Sequence, residues 1–200
     1  MKQIAIYGAS GHGKVVADIA RLNGYDDILF IDDGIATYLS FERFVQQQLD
    51  IPVALGVGNA QVRARLYRRC REHGLSIETL VHPSAVLADG VIVGEGTVVM
   101  ANSVVNSDTD IGKCCILNTS CVIEHDNSIG DFVHIAPQVA CAGGVKIGDY
   151  SHIGIGSCII QGITVGSHTV IGAGSVVVKN IENHILAYGN PCKPIKELTS

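Results

Sequence analysis

His125 and His134 lie nine residues apart in CVIEHDNSIGDFVHIAPQ (Cys121–Gln138), a run otherwise rich in small and aliphatic residues. An imidazole changes charge near neutral pH, so it can take a proton from an attacking amine or hydroxyl. Glu124 and Asp126 flank His125, and a carboxylate there can orient the ring and raise its basicity. The plain alternative is a solvated histidine at a surface corner. A second chemical signal stands near the start. GASGHG (Gly8–Gly13) follows a short apolar run and opens a helical pattern. Its glycines let the backbone approach a pyrophosphate, and a helix N-terminus offers free N–H donors with a positive dipole. Asp32 and Asp33 close the next apolar run about twenty residues on, where a carboxylate can meet a ribose or a base edge. Gly58-Asn59 end a third run and can close the same pocket.

These two groups need different supports, and the chain changes period between them. Ile4–Tyr7, Ile28–Ile31 and Pro52–Val57 predict three strands. Lys14–Asn23 carries a helical stripe that stops at Gly24, and Ala60–His73 predicts a basic helix closed by Gly74. This is a small parallel α/β unit, about half of a dinucleotide fold, with no second mononucleotide half. From about Thr79 the chain falls into sixes: VIVGEG, TVVMAN, SVVNSD and onward to SVVVKN, with no residue inserted or lost. The third residue is aliphatic from Val93 to Val177 in every hexad but the one holding Cys141. Neither a period of two nor one of 3.6 produces a strict six. Short strands joined by tight turns do, three hexads making an 18-residue triangular coil with the third residue inward.

In such a coil, residues 18 apart stack about 4.8 Å from one another. Gly143 therefore lies beside His125, where its backbone N–H can meet a thioester oxyanion. Ile155 stacks on Ala173, and His134 on His152. A zinc ion held by the latter pair needs a third nitrogen ligand, and no further histidine falls at a matching coil position. His125 and His134 are half a turn apart, on different faces and ~15 Å or more from each other. They share a cleft only if a second subunit brings its copy.

Composition narrows the partners. A net charge of −5 argues against nucleic acid and anionic membranes. No apolar run reaches the ~20 residues that span a bilayer, and MKQIAIYGASGHGK turns polar too soon for a secretory signal. Seven cysteines without CxxC spacing read as free thiols of a reducing cytosol.

The aliphatic-Gly-x-x-x-x pattern of IGDFVH, IGDYSH and IGAGSV, with the ending YGNPCKPIKEL (Tyr188–Leu198), resembles the left-handed β-helix acyltransferases. Joined to GASGHG, VIEHD and CAGGVKIGD, it resembles the bacterial nucleotide-sugar N-acetyltransferases, nearest to those of UDP-N,N′-diacetylbacillosamine synthesis. Sialic acid O-acetyltransferases share the resemblance, and acceptors linked to dTDP or GDP stay open. The family implies a Rossmann-like nucleotide-sugar domain over residues 1–80 and a left-handed parallel β-helix over 81–200 that binds acetyl-CoA as co-substrate, with no metal or bound cofactor. It further implies a cytoplasmic homotrimer with clefts between prisms. Carried onto this chain, the EH(E/D) motif makes His125 the base with Asp126 as its partner, in place of the Glu of the bacillosamine enzymes, and Glu124 as the other candidate. The nucleotide sugar falls to Ser10, Gly11, His12, Asp32, Asp33 and Gly58, and acetyl-CoA to His134, Ile155 and Ala173, with Gly143 as the oxyanion donor.

Overall fold

The computed structural model describes residues 1–199; Ser200, the last residue of the expected second domain, lies outside them. The N-terminal unit holds three parallel strands, β1 (Gln3–Tyr7), β2 (Asp27–Ile31) and β3 (Val53–Leu55), in the order β2-β1-β3. Three helices accompany them: α1 (Gly11–Leu22), α2 (Phe41–Gln46) and α3 (Ala60–Glu72). The expected third strand is shorter, since the backbone leaves the sheet after Leu55. The short α2 has no counterpart in the sequence reading. It is capped by the Ser40 hydroxyl and buries Phe41 and Phe44, a pattern too brief to show a helical period.

From Leu80 to Val177 the chain winds through two-residue strands that fall into three parallel sheets, one per face of a prism. Partners are 18 residues apart throughout: Val98 pairs with Ile116, Ile116 with His134, and His134 with His152. The first face continues into an antiparallel hairpin, Ile185–Gly189 with Cys192–Glu197. The hexad register is the expected one, and its third residues, Val99 through Val177, are buried inside the coil. Among the described residues, no helix is long and apolar enough to cross a membrane.

Two further hexad positions have fixed roles. The first residue also points inward, so Thr97, Ser103, Thr109, Ser151, Ser157, Thr169 and Ser175 are buried. Buried hydroxyls need partners, and these bridge neighbouring coils. Thr97 donates to the Gly112 carbonyl at 2.8 Å and accepts from the Cys115 amide at 2.9 Å. Ser151 does the same with Gly166 and Thr169. The sixth residue turns each corner with positive φ, including Asn102, Cys114, Asp126, Phe132, Tyr150 and His168 at +51° to +61°. A left-handed non-glycine residue costs about 1 kcal/mol or more. Corner hydrogen bonds offset it, as where the Asp126 amide donates to Ser107 and the Tyr150 amide to Asp131.

The α/β unit docks on the first face. Leu80, Val98 and Ile116 form the lower part of an outward row there, packed against Val16, Ile19 and Ala20 of α1. Arg63 of α3 bolts the second contact. It is 1% exposed and donates to the carbonyls of Val57, Gly58, Cys114 and Phe132 at 2.7–3.1 Å.

Candidate active site

The outward row of the first face changes chemistry where α1 begins. After Ile116 the next residues are His134 and His152, with ring centroids 4.8 Å apart and planes at 89°. His12, in the first turn of α1, lies 6.4 Å from the His134 ring. Asn118 reaches the His134 Nε2 at 3.1 Å. Burial, with His152 and then Arg63 adding their fields, pushes His134 down to about 3. Burial and Arg63 push His12 down to about 4. Both rings are therefore neutral at physiological pH.

Beside this row runs a column of corner rings. Phe132, Tyr150, His168 and His184 stack at centroid separations of 4.7–5.0 Å, close to the coil rise. Phe132 is buried against Tyr67 of α3. Tyr150, His168 and His184 instead line a cavity of about 640 Å³, together with His134, His152 and the start of α3 from Gly58 to Gln61. The α1 N-terminus adjoins it. Ser10 is the N-cap residue with its hydroxyl unused for capping, and the first-turn amides have no intrahelical acceptor. Among the described residues, the His12 Nε2 is buried without a partner.

Of the expected nucleotide residues, Gly58 lines the His134 cavity and His12 lies near the His134 ring, with Ser10 and Gly11 in the turn that leads to His12. Asp32 and Asp33 line a separate cleft of about 290 Å³ with Tyr7, Gly8, Arg65 and Arg69. Their carboxylates are already engaged. Asp32 accepts from the Ala9 and Gly34 amides at 2.9 Å each. Asp33 accepts from the Tyr7 hydroxyl, the Phe41 amide and Arg69 at 2.6–2.9 Å. Burial alone would raise the Asp33 carboxyl, but these donors outweigh it and hold it below the usual range. Gly13 is a packing glycine, because a Cβ there would sit 1.9 Å from the Gly8 carbonyl oxygen. Gly11 is different: a Cβ there meets nothing within 4 Å.

His125 sits on another edge, at the corner that follows the Val122–Ile123 strand of the second face. Its side chain is 62% exposed, and its Nδ1 lies 2.6 Å from the Asp126 carboxylate. That hydrogen bond raises the imidazole above its ordinary value. Glu124 is taken by Asn106, at 2.8 Å, so Asp126 is the carboxylate on the ring. Asn127 holds the corner beneath, its Nδ2 within 2.6–3.2 Å of the Glu124, His125 and Ala142 carbonyls. Gly143 lies under the ring as the coil arithmetic requires, and a Cβ there would come within 2.7 Å of the imidazole. Among the described residues its N–H has no hydrogen-bond partner. Ile155 and Ala173 stack on a third edge, both exposed, with Gly174 donating to the Ile155 carbonyl. One chain therefore gathers Ser10, Gly11, His12, Gly58 and His134, and keeps His125 with Gly143, and Ile155 with Ala173, on separate edges. Arg63 and Asn127 carried no signal in the sequence, one Arg of five in a basic helix and an Asn at a coil corner. Among the described residues, no three His, Cys, Asp or Glu side chains cluster as a metal site requires.

Comparison with known proteins places this geometry. The PglD N-terminal domain family matches residues 3–70. A histidine-to-asparagine variant of perosamine N-acetyltransferase from Caulobacter crescentus, solved with CoA and GDP-perosamine, is 32% identical with a TM-score of 0.93, covering 98% of both chains. The chain belongs to the hexapeptide-repeat sugar N-acetyltransferases. Another member, the acetyltransferase domain of PglB from Neisseria gonorrhoeae, is 34% identical with a TM-score of 0.91, covering 98% of this chain and all of that one. UDP-N-acetylbacillosamine N-acetyltransferase of Bacillus subtilis is 34% identical over 118 residues, 50% of this chain. That match spans 52% of the Bacillus protein, about half its length.

Proposed function

We propose that the protein transfers the acetyl group of acetyl-CoA to the 4-amino group of a UDP-4-amino-4,6-dideoxy-N-acetylhexosamine, giving UDP-N,N′-diacetylbacillosamine. The observation that carries this reading is the exposed His125–Asp126 pair seated on Gly143. His125 takes the proton as the neutral amine attacks the thioester carbon. The Gly143 N–H stabilises the oxyanion. Collapse of the tetrahedral intermediate expels the CoA thiolate, which takes up the proton. Asp126 keeps the imidazole oriented and basic.

The acceptor's diphosphate sits at the α1 N-terminus with Ser10, Gly11, His12 and Gly58, and Asp32 and Asp33 shape the nucleoside side. Acetyl-CoA lies along Ile155 and Ala173. His134, assigned to acetyl-CoA by resemblance, stands on the acceptor's wall, so the two substrates meet beside it. Because His125 lies on another edge, a second subunit supplies it, and the assembly is a homotrimer. The second face supports such contact: its outward row is Val86, Val104, Val122, Ala140, Cys158 and Val176. The third face, with Asp110, Ser128, Lys146 and Thr164 after an exposed Ile92, is mostly polar by contrast. Seven free thiols fit a cytoplasmic enzyme.

The Caulobacter neighbour was solved with GDP-perosamine and matches nearly the whole chain, so a GDP-linked 4-amino sugar is the second reading. A thiol-release assay with acetyl-CoA across UDP-, dTDP- and GDP-linked amino sugars and free sialic acid tests both. Turnover fastest with the UDP sugar upholds the first reading, and turnover with sialic acid alone overturns both.

The glycines separate binding from folding. Gly11→Val is expected to weaken nucleotide-sugar binding while leaving thermal stability and acetyl-CoA affinity unchanged. Gly13→Ala should lower the melting temperature, because its Cβ has no room. Calorimetry showing both ligands weakened equally by Gly11→Val would contradict this division of labour.

A further inference from the structure

The buried guanidinium of Arg63 has four carbonyl partners and no carboxylate: the ion pairs among the described residues do not include it. Hydrogen bonds to carbonyls orient a guanidinium without neutralising it, and a buried charge lacking a counter-ion is costly. The thiols nearest to it, Cys114 and Cys115, cannot supply one, since burial pushes each up to about 12. From α1, His12 faces the same region, and from the first face, His134 and His152 do; all three are held low by burial and by the Arg63 field. Tyr150, His168 and His184 complete that wall, and the lining holds no Asp or Glu among the described residues. The α1 N-terminus adds its positive end. Every charge or dipole named around this cavity thus favours an anion.

We propose that Arg63 is a positioning residue that prepares the cavity for a diphosphate in two ways: it fixes the Val57–Gly58 turn against the β-helix, and its unpaired charge makes the ligand's diphosphate the counter-ion the folded chain lacks. This rests on the reading that the cavity takes a nucleotide sugar. Gly58 is the link, since its carbonyl accepts from Arg63 and its backbone lines the cavity against His134. An arriving diphosphate offsets the Arg63 field, so the His12 and His134 imidazoles become easier to protonate once it is bound. A role in fold stability alone does not produce that coupling.

The test uses the full-length protein with UDP as the probe, calorimetry for affinity, and NMR titration of the histidine rings. In wild type, saturating UDP is expected to move the His12 and His134 titrations upward. Arg63→Lys keeps the charge and loses the four-way geometry. It should weaken UDP binding about 10-fold or more, the loss of hydrogen bonds to a charged group, with acetyl-CoA affinity unchanged and both imidazoles still low. Arg63→Met also removes the charge, so it should weaken UDP about 100-fold and raise both imidazoles without any ligand. UDP binding to wild type with unmoved imidazoles overturns the proposal alone, and this arm stands even if the variants fail to fold. Folded variants that bind UDP like wild type overturn it equally. Failure of wild type to bind UDP, and GDP in the same assay, overturns the nucleotide-sugar reading, and the proposal with it.

Discussion

Replacing His125 by alanine is expected to lower kcat by roughly 10²- to 10⁴-fold, the range for loss of a general base, with the fold intact. The side chain is largely exposed and contributes nothing to the coil interior, which is built from the first and third residues of each hexad. Its ring contacts Asp126 and rests on Gly143. Removal therefore takes away a proton acceptor without opening a cavity. Circular dichroism and the melting temperature should match wild type. Asp126→Asn should cost less, because it lowers the basicity of the ring and leaves the ring in place. A folded His125→Ala protein that turns over at the wild-type rate would remove His125 from the mechanism.

Mixing two inactive proteins, His125→Ala and His134→Ala, is expected to restore activity under conditions that allow subunit exchange. His134 stands on the first face, on the cavity wall it shares with Gly58 and near the His12 ring, whereas His125 stands at the corner beyond the second face. A single prism cannot turn both toward one substrate. In a mixed trimer some clefts combine the intact His125 of one subunit with the intact His134 of its neighbour, and those clefts alone should turn over. Activity should grow from near zero as exchange proceeds, to a fraction of the wild-type rate. No recovery after exchange has been verified, or full activity from a monomer by light scattering, would refute the shared site.

The hexad repeat made the coil legible residue by residue, because an 18-residue period dictates register without reference to anything distant. Gly143 under His125, Ile155 on Ala173 and His134 on His152 all follow from that arithmetic and recur in the structure. The hidden features depend on contacts between the two units. Nothing local in AQVRARLYRRCRE marks Arg63 among four other arginines as the buried one. The placement of His134 on the cavity wall follows from where α1 ends its cover of the first face, a tertiary fact that no period encodes. Asp32 and Asp33 stood at the position expected of a ribose ligand, but the sequence could not show that the Gly8 loop, Tyr7 and Arg69 already use their oxygens. The burial of the hydroxyls at the first hexad position is not legible in the sequence, since a Ser or Thr buried to bridge two coils has the same local signature as one exposed in a turn.

The most direct test of His125 as the base is the pH dependence of kcat/KM in wild type and in Asp126→Asn. Only the neutral imidazole accepts a proton, so activity should rise with pH through the His125 titration. In wild type the hydrogen bond to Asp126 raises that titration, which places the acidic limb above the ordinary imidazole value of about 6.5. In Asp126→Asn the limb should move to lower pH, toward that value, while the sugar amine, which titrates in the same assay, stays where it was. A limb at the same pH in both proteins would contradict the account, because it would assign the rise to the substrate's amine and leave His125 without its role.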